Sequence, residues 1–240
     1  SRKNISSIKM RKYNKKPMQT KAHKSFGRNM NLPILLIKGA EKNDFLKNPK
    51  KAVIFRLSSI GDSILLLPAI KNFKEKTNAM IIVVCSVENL PVFERQNFID
   101  KIILLDNKSI NPFKIFKTLI NIKKEKADIS IDTTHSSNMS AFFSYFAGKI
   151  HIGFSNPETD IRNKVYDKTI FLNPEKHMAL NYLDLFSILG IKYDKKDIKL
   201  IKPIYSNKDK DEIERKVGNK KKLVGIHIFS ELPYKRWSAD

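Results

Sequence analysis

The sequence predicts an α/β fold, namely a Rossmann-like parallel sheet with helices on both faces. Two observations predict it. From Lys51 onward, short β-rich runs alternate with helical stretches, which is typical of βαβ units on a parallel sheet. Some of the runs are also continuously apolar, such as MIIVVC at 80–85, and such strands fit a sheet that is covered on both faces.

The elements are expected at regular places along the chain. The predicted strands are 52–57, 80–85, 101–106, 128–132 and 149–154, and helices are predicted after the first four, at 63–76, 88–95, 112–125 and 137–147. A long polar loop is expected over 155–168. A helix is expected over 175–190, ending at a glycine suited to a helix C-cap. After Pro203 the sequence predicts a charged helix and then a buried strand at 222–229.

The pattern divides the chain into three parts. Residues 1–50 carry 14 Lys and Arg against 2 Asp and Glu and only one short apolar patch, so we expect a basic, disordered, flexible extension. Residues 51–203 are expected to form the Rossmann-like domain. Residues 204–240 are expected to form a linker helix and the start of a second α/β domain, and the end of the chain soon after its first strand indicates a truncated sequence.

The charge limits the classes of partner. The 46 Lys and Arg against 24 Asp and Glu give a formal charge of +22, about half of it in the extension, which indicates attraction to nucleic acid, an anionic membrane or a phosphorylated substrate. No apolar run reaches the ~18 residues of a membrane-spanning helix. Cys85 is the only cysteine, which excludes an intramolecular disulfide and indicates a reducing compartment, and its strand-like setting predicts a buried small hydrophobe.

The loop after the first predicted strand, in RLSSIGDSILLLPAI at 56–70, lies where ligands bind in an open parallel sheet. Gly61 is expected to allow a tight turn and a close approach to a ligand, although one glycine is not the G-x-G-x-x-G dinucleotide motif. Asp62 has two readings: a helix cap whose carboxylate accepts backbone N–H bonds, or a catalytic carboxylate. Pro68 is expected to bend or shorten the following helix.

Several stretches resemble one family. RLSSIGDSILLLPAI, DISIDTTHSSNMSAFFSYFAG at 128–148, HIGF at 151–154, the helix after His177 and GIHIFSELPYKRW at 225–237 are similar, in order and spacing, to the lipopolysaccharide heptosyltransferases, a family of glycosyltransferases. The resemblance covers about 51–240. It implies a two-domain GT-B fold of which this chain holds the N-terminal acceptor domain and barely the first strand of the donor domain.

The resemblance implies an inverting transfer of heptose from ADP-heptose to a sugar of the lipopolysaccharide core, with no metal and no cofactor besides the donor. Asp62 matches the general base, which takes the proton of the attacking hydroxyl. Lys235 matches the lysine that contacts the donor diphosphate, and Ser230 is a weaker donor-binding candidate that an ordinary loop serine explains as well. Alone, the chain is expected to lack turnover, because the donor cleft needs the second domain.

The acceptor is anionic and lipid-linked, so the resemblance implies basic contacts along the cleft. The acceptor-binding candidates are Ser59, Gly61, Lys108, Lys114, Lys117 and Arg162. An ordinary solvated charge explains Arg162 equally well and explains the lysines better. Many relatives have Arg or Lys before the serine of the fourth helix, where this sequence has Met139, which puts the identity of the acceptor in doubt.

An alternative remains: a non-catalytic basic α/β protein that binds nucleic acid or anionic membrane lipid with salt-sensitive affinity. It is disfavoured because much of the charge lies in the extension and no aromatic-plus-basic RNA motif occurs in the domain. We therefore expect a cytoplasmic protein in peripheral contact with the inner membrane, with a nucleotide sugar as partner and no nucleic acid. The Asp pair in DKD at 209–211 could suggest a metal site, but a solvated helix face explains it better.

Overall fold

The computed structural model describes residues 49–105, 112–155, 160–194 and 206–218, together with the isolated positions 198, 199, 201, 204, 224 and 226. The chain divides after Ile201 into two units, and each is described by itself. Of the predicted extension at 1–50, only its last two residues are described, and of the predicted strand at 222–229 only positions 224 and 226.

The first unit contains one six-stranded sheet. Its strands are β1 (Lys51–Arg56), β2 (Met80–Cys85), β3 (Lys101–Leu104), β4 (Ala127–Asp132), β5 (Gly148–Ser155) and β6 (Lys168–Phe171). Every neighbouring pair is parallel, and the strands lie in the order β3-β2-β1-β4-β5-β6. This is the order of a Rossmann-like sheet, in which the connections leave in opposite directions from the two central strands.

Helices connect the strands. Among the described residues they are α1 (Ile60–Thr77), α2 (Leu90–Phe93), α3 (Pro112–Lys124), α4 (Asn138–Tyr145), α5 (Asp160–Asn163) and α6 (Met178–Ser187), and a 3₁₀ turn lies at Val87–Asn89. Among the residues described, no helix is long and apolar enough to cross a bilayer.

The core lies on both faces of the sheet because successive strand residues point to opposite sides. Ala52 and Ile54 of β1 pack in one cluster that also holds Phe73 of α1 and Phe186 of α6. Val53 and Phe55 pack in a second cluster with residues of α3 and α4, among them Ile122, Met139 and Phe143. The predicted parallel α/β sheet with helices on both faces is therefore confirmed.

Two parts of the fold differ from the expectations and a third feature agrees with them. Helix α1 starts at Ile60, three residues earlier than expected, and runs unbroken through Pro68 to Thr77. The strand β6 and the short helix α5 were not predicted, because KTIF is only four residues long and follows a polar stretch. Cys85 is fully buried as expected, and burial raises the pKa of its thiol to about 12.

Helix α7 (Asn207–Val217) belongs to the second unit and confirms the charged helix expected after Pro203. It begins with a capping box: the Ser206 side chain accepts the N–H of Asp209, and the Asp209 carboxylate accepts the N–H of Ser206 at 2.9 Å. Asp211 is exposed two residues further on. The DKD stretch thus starts a solvated helix, as the pattern favoured.

Candidate functional site

The carboxyl ends of β1 and β4 form the centre of the sheet's open edge. The chain leaves β1 toward β2 on one side and leaves β4 toward β5 on the other, so a crevice opens between the two loops. The loop after β1 ends at Ser59 and leads into the first turn of α1, which carries Asp62, and the loop after β4 carries Thr133, Thr134 and His135. Ligands of Rossmann-like sheets bind in this crevice.

A buried arginine holds Asp62 at this edge. Arg56 is the last residue of β1, and its Nη2 donates to Oδ2 of Asp62 at 2.6 Å while its Nη1 donates to the carbonyl of Thr133 at 2.8 Å. The Arg56 side chain is 2% exposed and that of Asp62 is 31% exposed. Arg56 therefore ties both loops together and leaves the carboxylate in contact with solvent.

The start of α1 orients the same carboxylate. Ser59 is the N-cap residue of the helix, and its Oγ donates to Oδ2 of Asp62 at 3.1 Å. Asp62 lies in the first turn and bonds side chains, so its carboxylate is not the backbone cap that one reading of the sequence expected. Both bonds go to Oδ2, and among the described residues none donates to Oδ1. Oδ1 is therefore available to accept a hydrogen bond from water or from a ligand.

Gly61 does not form the expected tight turn, since it lies inside the first turn of α1. A Cβ added at Gly61 would meet nothing within 4 Å. The fold therefore does not require glycine here. The space beside Gly61 leaves the backbone open to a ligand, and the predicted acceptor contact stays a prediction.

A second polar cluster lies behind the crevice, at the end of β4. Asp132 is fully buried, and its Oδ2 accepts bonds from Ser140 Oγ at 2.8 Å, Arg162 Nη2 at 3.0 Å and Tyr166 Oη at 2.6 Å. Arg162 Nη2 also donates to the carbonyl of Thr134 at 2.6 Å. The other oxygen of Asp132, Oδ1, accepts the N–H of Thr134 at 2.9 Å. Charge pairing and four donors satisfy the buried carboxylate, so this cluster fixes the loop after β4.

His135 lies between the two ion pairs. Burial lowers the pKa of its imidazole, and the positive charges of Arg56 and Arg162 lower it further against the opposing effect of Asp62 and Asp132. Its Nδ1 is buried and has no hydrogen-bond partner within the described part of the chain. The ring is therefore a neutral polar group beside the crevice at neutral pH.

The other predicted site residues fall into three groups. Lys114 and Lys117 are exposed on α3. Arg162 is 1% exposed and bonded to Asp132, Thr134 and Tyr166, and its Nε and Nη1 are buried without a partner among the described residues. Lys108, Ser230 and Lys235 lie outside the described residues. The structure thus places Asp62, Ser59 and Gly61 together at the start of α1. Their roles in the reaction stay predictions.

Sequence reasoning did not single out Arg56, Asp132 or Tyr166. A signal for the first two was present, because each is the polar residue that ends a strand otherwise rich in apolar residues. Tyr166 had no such signal, since it lies in a stretch predicted as a loop. Met139, the departure from the family pattern, is buried in the core cluster that contains Phe55 and Phe143.

This arrangement can do one kind of chemistry well. A carboxylate held by a buried arginine and a serine presents a free oxygen at the mouth of a crevice, where it can accept a proton from a hydroxyl. Among the residues that the structure describes, no group of three His, Cys, Asp or Glu side chains is arranged to hold a metal ion.

Solved structures share this fold. A glycosyl transferase of family 9 from Veillonella parvula matches at a TM-score of 0.68 and 22% identity over 82% of this chain and 58% of that chain. The ADP-heptose lps heptosyltransferase II of E. coli matches at a TM-score of 0.54 and 17% identity, over 71% of this chain and 51% of that chain. E. coli heptosyltransferase WaaC, solved with ADP, matches at a TM-score of 0.53 and 15% identity, over 60% of this chain and 48% of that chain.

No protein-family model matches the chain, and no curated protein matches it at a significant level. The chain spans about half the length of the solved structures that it resembles. The structural likeness confirms the predicted fold: the chain has the Rossmann-like architecture of the N-terminal part of the GT-B glycosyltransferases of family 9.

Proposed function

We propose that the protein is a glycosyltransferase that moves a sugar from a nucleotide sugar to a hydroxyl group of a saccharide acceptor. The observation that carries the proposal is the position of Asp62, a partly exposed carboxylate held by Arg56 at the central crevice of the sheet. The fold shared with family 9 glycosyltransferases supports it. A sugar hydroxyl is a weak nucleophile, and a base at this position can activate it by taking its proton.

In the proposed reaction, Oδ1 of Asp62 takes the proton of the acceptor hydroxyl. The hydroxyl oxygen bonds to C1 of the donor sugar as the bond from C1 to the diphosphate oxygen breaks, and the nucleoside diphosphate leaves with that electron pair. Direct displacement inverts the configuration at C1. Arg56 and Ser59 orient the carboxylate through its other oxygen, so Oδ1 is kept for the proton.

The finer proposal is that the donor is ADP-heptose and the acceptor a sugar of the lipopolysaccharide core. Two observations support it: the sequence motifs resemble those of heptosyltransferases, and a structural neighbour, WaaC, was solved with ADP and with ADP-2-deoxy-2-fluoro heptose. Lys235 and Ser230 are proposed to contact the donor, with the lysine balancing the charge of the leaving diphosphate. Lys108, Lys114, Lys117 and Arg162 are proposed to serve the anionic acceptor.

The proposal extends to conditions and location. No metal or further cofactor is proposed, in keeping with the family that the sequence resembles. The enzyme is proposed to work on the cytoplasmic face of the inner membrane, where a lipid-linked acceptor is presented.

A donor panel tests the function. The full-length gene product is incubated with ADP-heptose, ADP-glucose or UDP-glucose and a lipid-linked core saccharide, and products are detected by mass spectrometry. We expect an acceptor heavier by one heptose and release of ADP, with the UDP donor inactive. Transfer of hexose but not heptose would overturn the finer proposal, and no sugar transfer from any donor would overturn the activity.

A further inference from the structure

Helix α3 has apolar side chains on two faces. On its inner face Ile115 and Leu119 are partly buried and Ile122 is fully buried against the second core cluster. On its outer face Phe113 is 83% exposed, Phe116 62% and Ile120 37%. These three residues, spaced i, i+3 and i+7, form one stripe along the helix, which we name the apolar stripe.

The charged residues of helix α3 have one sign. At 3.6 residues per turn, Lys114, Lys117 and Lys124 lie on one side of the stripe and Lys123 on the other, and all four are exposed. The helix contains no Asp or Glu. Glu125, just after it, pairs with Lys101 at 2.6 Å and so does not offset these charges.

The stripe begins near the open edge of the sheet. Helix α3 follows β3, so Phe113 and Phe116 near its start lie toward the edge formed by the carboxyl ends of the strands. Only β2 separates β3 from β1, whose end carries the loop of Asp62.

We propose that the apolar stripe of α3 is a membrane-docking surface that inserts into the interface of a bilayer containing anionic lipid. An exposed row of Phe and Ile flanked by Lys is the composition of helices that lie in a membrane interface, with the rings among the acyl chains and the ammonium groups at the phosphates. Ile120 is aliphatic and offers no aromatic face on which a nucleobase could stack. The four lysines would repel the same lysines on a second copy of the chain. A lipid surface therefore fits better than RNA or a dimer.

The inference names a surface for the peripheral membrane contact and stands without the proposed activity. Docked through α3, the protein holds the open edge of its sheet next to the bilayer, where a hydroxyl on a lipid-linked molecule reaches the crevice without leaving the membrane. The basic extension adds only long-range attraction, which salt weakens. Insertion of the stripe depends on apolar contact instead.

A fluorescent reporter separates insertion from simple attraction. Trp237 is the only tryptophan in the sequence, so the emission of a Phe116→Trp variant, after subtraction of the wild-type signal, reports on the stripe. With vesicles of phosphatidylglycerol and phosphatidylcholine, we expect this emission to shift to the blue and to be quenched by brominated acyl chains. The matched control is Ile213→Trp on exposed helix α7, which should do neither. An unchanged Phe116→Trp signal while the protein co-floats with the vesicles would overturn the inference.

Substitution gives the second arm. The double variant Phe113→Gln, Phe116→Gln keeps good helix formers and should weaken vesicle binding by about tenfold or more, since two apolar rings leave the membrane. Lys114→Gln with Lys117→Gln should weaken it by about fivefold for each lysine on anionic vesicles and not on neutral ones. Lys208→Gln with Lys210→Gln on α7 is the control. If the phenylalanine variant loses affinity for poly(U) or loses a dimer by ultracentrifugation, with vesicle binding intact, the lipid assignment is wrong.

Discussion

The pair formed by Arg56 and Asp62 decides what the crevice can do. Arg56 is buried and satisfies two acceptors on different loops, so Arg56→Met removes the support of Asp62 and leaves the carbonyl of Thr133 without its donor. We expect a loss of about 1–3 kcal/mol in the free energy of unfolding, measured with urea. We also expect a fall in kcat at unchanged donor binding. Equal kcat in the variant would show that the arginine does not position the base.

The Asp132 cluster tests the role of Arg162. The arginine is buried and paired, so Arg162→Met leaves a buried carboxylate with only neutral donors and should cost about 3–5 kcal/mol of folding free energy. Tyr166→Phe removes one donor and should cost about 1–2 kcal/mol. If Arg162→Met leaves stability unchanged and raises only the KM for the acceptor, Arg162 is an acceptor ligand, as the family resemblance implied.

At the scale of single elements, two glycines differ in whether the fold needs them. On β5, a Cβ at Gly153 would lie 2.4 Å from the ring of Tyr166, so Gly153→Ala forces the ring to move and should cost about 1–3 kcal/mol. On α1, a Cβ at Gly61 meets open space, and Gly61→Ala should stabilise the helix by up to about 1 kcal/mol. Thermal unfolding of both variants checks this. A Gly61→Ala variant that is more stable but has a higher KM for the acceptor would support the predicted contact. A less stable variant would show that the fold requires glycine at this position.

The elements show what the sequence could predict. The strand MIIVVC and the helix that contains Phe113 were predicted nearly to their ends. The strand is apolar throughout because the sheet is covered on both faces, and the helix is periodic because one of its faces is buried. β6 was not predicted, because four residues are too few for a pattern and the strand exists through its pairing with β5. The start of α1 was missed by three residues, because the sequence offered Asp62 as the cap residue whereas Ser59 takes the N-cap position.

At the scale of the whole molecule, the sheet order places the site. The sequence predicted parallel strands and an aspartate after the first, but the neighbour of β1 on its other side, β4, follows only from the topology. For that reason Asp62 could be named in advance and Thr133, which Arg56 joins to it, could not. Spacing along the chain carries no signal for two residues more than seventy positions apart.

His135 makes stability depend on pH. Its pKa in the folded protein is lowered, by burial first and then by Arg56 and Arg162, with Asp62 and Asp132 acting the other way. Above the unfolded pKa of about 6.5 both states are neutral, and below it the unfolded state takes up a proton that the folded state does not, so stability falls as pH falls. We expect His135→Gln to lose less stability than the wild type between about pH 7.5 and about pH 5.5, followed by urea unfolding. An equal loss in both proteins would contradict the lowered pKa.

The central claim is that Asp62 takes the proton of the acceptor hydroxyl, and the rate of sugar transfer by Asp62→Asn in the full-length gene product tests it most directly. The control is Asp184→Asn, which alters an exposed carboxylate on α6 paired with Lys176. The account predicts a fall in kcat of about 10²–10⁴-fold for Asp62→Asn, with donor affinity retained and the control near wild type. Wild-type transfer by Asp62→Asn would contradict it.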